Sequence, residues 1–119
     1  MNISQALFYS NNNLVTTINL IIPKTVEEKV LGLSKYNHLP IDSGMLFANL
    51  NNDHFWMKNT KMSLDLIFIS GNTIVDIKPG SKFSLQSISS EYNYDKVIEV
   101  NMNFCRYFNI KPNDFVLFI

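Results

Sequence analysis

Residues 54–69, HFWMKNTKMSLDLIFI, constrain the fold more than any other stretch, because they end in a run that is apolar everywhere except Asp65. A run of strand length with so few polar positions reads as a strand buried on both faces. Ser70-Gly71-Asn72-Thr73 follows with hairpin chemistry, since Gly and Asn both reach the positive φ of a two-residue turn. With Gly71-Asn72 as the loop, Ser70 pairs with Thr73, and counting outward sets Ile67 opposite Asp76 and Asp65 opposite Lys78.

Other strand-length segments flank this hairpin. Residues 7–9 predict a short first strand, and Asn11, Asn12 and Asn13 a turn, because Asn tolerates left-handed backbone. Residues 14–22 form a β-branched alternating run that Pro23 ends. Residues 44–48 read as a buried strand, 55–58 as another short one, and 96–100 as a further one. Residues 115–119 predict a final strand whose apolar side chains need pairing inside a sheet. The Ser-rich stretch after Pro79-Gly80 reads as long, exposed and partly extended.

Helical signals are few. Thr25 and Glu28 have the spacing of a capping box, and Val26, Val30 and Leu33 recur at helical spacing as one buried stripe. A helix is therefore expected over about residues 25–37, with Gly32 inside it in close approach to another backbone and Leu39-Pro40 stopping it. A short helical turn near 103–108 buries Phe104, Cys105 and Phe108. The expectation is a mainly β (α+β) fold, a compact curved or closed barrel-like sheet of short strands with one packed helix.

The chain has 119 residues, the length of one domain, and 46% of them are hydrophobic against 17% charged, which argues against disorder. Ten basic residues balance ten acidic ones without forming runs, so neither nucleic acid nor an anionic membrane is an expected partner. Cys105 is the only cysteine, which excludes an internal disulfide and a Cys-based zinc site. Residues 1–13 lack a basic start and a sustained apolar segment, and no window is apolar enough for a membrane helix, so a soluble, cytoplasmic protein is expected.

Residues 25–33 (TVEEKVLGL), Leu39-Pro40, 44–47 (GMLF), 55–60 (FWMKNT), 64–69 (LDLIFI), 74–77 (IVDI) and 97–101 (VIEVN) follow in an order that resembles the DUF192 family. The likeness spans residues 14–118, and GMLF followed by FWMKNT is its most specific part. Resemblance implies a single DUF192-like domain over residues 1–119, compact and barrel-like with an accessory helix, in a family without an established activity. The chain departs from the family pattern at Ser34 and Tyr36, where a Met and an Arg are usual, and at Ser63, where a Pro is usual. Asn103 and Asn113 stand where Gly is usual, a change that keeps access to left-handed backbone.

Asp65 shares parity with Ile67 and Ile69, which places an ionisable group on an apolar face. Such a carboxylate needs partners, and Lys58, Lys78 or the amides of Asn59 and Thr60 are the candidates; it either pins the 59–63 loop or faces a pocket. Lys58-Asn59-Thr60 offers a cation, an amide and a hydroxyl on consecutive residues, for a ligand or for the turn itself. Met45, Phe47, Trp56 and Met57 read equally as an apolar pocket wall and as core. The site residues expected to bind a ligand are Met45, Phe47, Trp56, Lys58, Asn59, Thr60 and Asp65. His38 and His54 lie near Asp42 and Asp53 without spacing that demands a metal, and no metal or cofactor is expected. Cys105 reads as an inert core thiol.

These features favour a small non-catalytic binding domain, with a pocket between the GMLF and FWMKNT-LDLIF segments for a small polar ligand or a peptide end. The alternatives are a hydrolase using Asp65 as base and a structural or protein-interaction module. A small polar molecule or a protein is the expected partner, and a monomer or weak dimer the expected state.

Overall fold

Asn11 and Asn12, at φ 52° and 66°, turn the chain between β1 (Gln5–Ser10) and β2 (Asn13–Ile21), the left-handed backbone that asparagine tolerates. The computed structural model describes residues 2–119. After Pro23 the expected capping box is formed, with Thr25 Oγ1 accepting from the Glu28 N–H at 3.0 Å and the Glu28 carboxylate accepting from the Thr25 N–H at 3.1 Å.

The helix it opens, α1 (Val26–Leu31), has six residues and does not run to residue 37. Gly32 is its C-cap at φ 53° and sends the chain out of the helix, so it is not the interior glycine that the apolar spacing suggested. Nor does α1 carry a buried stripe. Val26 and Val30 are 78% and 77% exposed, and only Leu33, beyond the cap, enters the core.

The chain returns as β3 (Ser43–Phe47), parallel to β2 with Leu20 opposite Gly44. Residues 55–58 do not form the expected strand. They hold one isolated bridge, Phe55 with Ile88, and a bond from the Met57 N–H to the Ser84 carbonyl at 3.1 Å. β4 (Leu64–Ser70) and β5 (Thr73–Gly80) make the expected hairpin with Ser70 opposite Thr73. The register further out is corrected by one residue, because a bulge beside Ile69 sets Phe68 opposite Asp76, Ile67 opposite Ile77 and Asp65 opposite Pro79. β6 (Lys96–Asn101) lies between β3 and β4, α2 (Phe104–Phe108) follows, and β7 (Phe115–Phe118) pairs with β1 and meets β5 at Thr73.

The seven strands close into a ring in the order β1-β2-β3-β6-β4-β5-β7, so the protein is mainly β with two short helices. Its interior draws residues from every strand, among them Phe8, Ile18, Leu46, Ile67, Ile74, Ile98 and Val116. A second apolar layer lies outside the ring, where Leu64, Leu66, Phe68 and Val97 pack with Leu33, Met45, Phe47, Met57 and Tyr94. β4 is thus covered on both faces. None of the described helices is long and apolar enough to cross a membrane.

Candidate functional site

The outer layer is not solid. A cavity of about 480 Å³ opens between α1, the end of β3 with the turn after it, and residues 53–60. Val26, Lys29 and Val30 border it from the helix, Phe47, Asn49 and Leu50 from β3 and its turn, and His54, Phe55, Trp56, Lys58 and Thr60 from the covering segment.

Its one deeply placed charged residue is Glu99, from the middle of β6. The sheet registers set Glu99 between Met45 on β3 and Leu66 on β4, so its side chain rises in a row with two apolar neighbours. Glu99 is 5% exposed, and among the described residues no hydrogen bond or ion pair joins its carboxyl group, whose oxygens keep some contact with the cavity, since no fully buried side-chain nitrogen or oxygen lacks a partner. Burial pushes that carboxyl up to about 8, because a carboxylate removed from water without a compensating partner favours its neutral form. The carboxyl therefore meets the cavity.

The DUF192 family model, described as Uncharacterized ACR, matches residues 8–118. The chain belongs to the DUF192 family. No curated protein matches it. Two solved structures share the fold seen here. One is a candidate transcription regulator from Sinorhizobium meliloti 1021, with TM-score 0.90, 22% identity, and coverage of 98% of this chain and 94% of that one. The other is a protein of unknown function from Novosphingobium aromaticivorans DSM 12444, with TM-score 0.86, 24% identity, and coverage of 97% and 84%. At these identities the likeness is one of fold.

Within this DUF192 chain, four of the seven residues expected at a site line the cavity, namely Phe47, Trp56, Lys58 and Thr60. Trp56 is half exposed, with the Lys58 ammonium over its ring at 5.1 Å from the centroid, a cation–π contact at the cavity mouth. Thr60 is buried, and its N–H closes a turn on the Met57 carbonyl at 3.0 Å. Asn59, at φ 60°, is the exposed corner of that turn and does not line the cavity. Met45 and Met57 are core, Met45 beside Glu99 and Met57 packed on Gly80.

Asp65 is elsewhere. Its side chain shares the ring-interior face with Ile67, and it accepts from the Cys105 N–H at 3.1 Å. None of the partners that parity suggested is used: Lys58 lies over Trp56 and the Thr60 amide is bonded to Met57. The reason is α2, which the left-handed Asn103 (φ 76°) folds back so that the first turn of the helix points at β4. Asp65 pins this helix, not the 59–63 loop. Burial and the Asp65 carboxylate push the Cys105 thiol well above its ordinary range, and it is buried.

His54 borders the cavity with Nδ1 2.7 Å from Ser87 Oγ, whereas His38 does not reach it. The described residues hold no cluster of three or more His, Cys, Asp or Glu that could bind a metal. Sequence reasoning missed Glu99. The signal was present in KVIEVN, where one carboxylate interrupts an apolar strand as Asp65 interrupts LDLIFI.

Proposed function

We propose that this DUF192 chain is a small-ligand binding domain, with its site in the cavity on the outer face of the ring. One observation carries the reading, the carboxyl of the buried residue Glu99, which has no protein hydrogen bond or ion pair and faces open volume. A folded protein tolerates such a group when something outside the chain completes it. Phe47, Phe55 and Trp56 supply apolar walls and Thr60 a hydroxyl, the composition expected of a ligand pocket. Met45 flanks Glu99 from the adjacent strand, and Asn59 shapes the turn that carries Thr60.

A hydrolase with Asp65 as base has less support, since that carboxylate is engaged by the Cys105 N–H on the opposite face of the sheet.

The test is a fragment screen read by Trp56 fluorescence and by amide chemical shifts. Fragments should perturb the amides of Trp56, Thr60 and Glu99 together, and Thr60→Val should weaken them while its melting temperature stays close to that of the parent. A screen without hits, or hits that map away from Glu99, overturns the reading.

A further inference from the structure

Taking the cavity as a ligand site, we propose that it selects a small primary amine, an ammonium head on a compact apolar body, whose head pairs with the carboxylate of Glu99. Three observations support this class. The described residues form only two ion pairs, Lys96 with Asp95 and Lys111 with Asp114, so no protein cation serves Glu99. The neighbours of Glu99 across β3 and β4 are Met45 and Leu66, which offer neither donor nor charge. Phe47, Phe55 and Trp56 stand among the residues that line the same cavity, which suits a hydrocarbon or aryl body behind the head.

The other charged groups on the cavity are Lys29 from α1 and Asp53, His54 and Lys58 from the covering segment, and all four are exposed. Water and salt screen them at the mouth, whereas a charge pair formed at Glu99, a residue 5% exposed, is screened much less. The head therefore answers to Glu99.

An ammonium pairs with the anionic form of Glu99, while the empty site holds mainly the protonated form at neutral pH. Binding then expels one proton, and the sign follows. As pH rises toward about 8 the anionic fraction grows, so affinity for the amine climbs roughly tenfold per pH unit and levels off above that point. A ligand that took a hydrogen bond from the neutral carboxyl would show the reverse.

The experiment is calorimetric titration of the full chain with phenethylamine, 2-phenylethanol and 3-phenylpropionate, which share a ring and differ in the head. Titrations run from pH 6 to pH 9 in buffers of different ionisation heat, so that proton release is counted. Phenethylamine should bind best, release about one proton near neutral pH and show the rising profile. In Glu99→Gln, which keeps the shape of the side chain, affinity should drop by about tenfold or more, and both the slope and the proton release should vanish. His54→Gln should keep the slope. Preference for the propionate or the alcohol, or a slope that survives in Glu99→Gln, overturns the amine assignment while the cavity stands as a site. Binding of none of the three overturns the amine assignment and, together with an empty fragment screen, the binding reading itself.

Discussion

Glu99 and Asp65 are the same kind of residue in the same kind of strand, and their fates differ because of what lies above each. Asp65 meets an amide of α2 and is satisfied within the chain. Glu99 meets a hollow. From sequence both are a carboxylate in an apolar run, and parity alone cannot say which face of the sheet a helix will cover. The residues that border the candidate cavity were therefore legible near Trp56, Lys58 and Thr60, where aromatic and polar residues cluster, and harder to read at Glu99, whose neighbours Met45 and Leu66 come from strands far away in sequence. Stability should register the difference. Folding raises the Glu99 carboxyl from an ordinary 4.5 to about 8, so its contribution is fully present below about 4.5 and is lost as pH rises through about 8. Each pH unit in that window removes about 1.4 kcal/mol. Denaturant melts of the unliganded chain should show Glu99→Gln gaining on the parent between pH 5 and pH 8. Parallel curves across that range would show that the carboxyl is hydrated in the fold.

At the scale of elements, local chemistry predicted starts and turns better than lengths. The capping box at Thr25, the Asn11-Asn12 turn and the hairpin at Gly71 are decided by residues in direct contact, and all three form as expected. The extent of α1 is decided by burial, and Val26 and Val30 keep helical spacing while standing in solvent at the cavity mouth. The hairpin register slipped for a related reason, since a bulge inserts one residue without altering composition. Gly32 is where the helix stops, with a backbone conformation of φ 53° that side chains resist. Gly32→Ala should cost about 1–3 kcal/mol in chemical denaturation. It should also weaken any cavity ligand, because Lys29 and Val30 stand on the turn it redirects. The space itself is adequate, with the nearest atom, Phe47 Cζ, at 3.6 Å from an added Cβ. An unchanged melt would mean that the φ relaxes freely.

For the molecule as a whole, the covering segment of the cavity is attached to the rest far more lightly than the strands are to each other. Residues 55–57 are fastened by the Phe55–Ile88 bridge and the bond from Met57 to Ser84, whereas β4 is laddered along both edges. Amide hydrogen exchange should therefore show Phe55, Met57 and Ile88 trading their protons well before Leu66 and Ile67. Equal protection at both places would contradict the picture. The cladding over Glu99 is hung like a shutter on a masonry wall, and its parting would leave the stonework behind it unstirred.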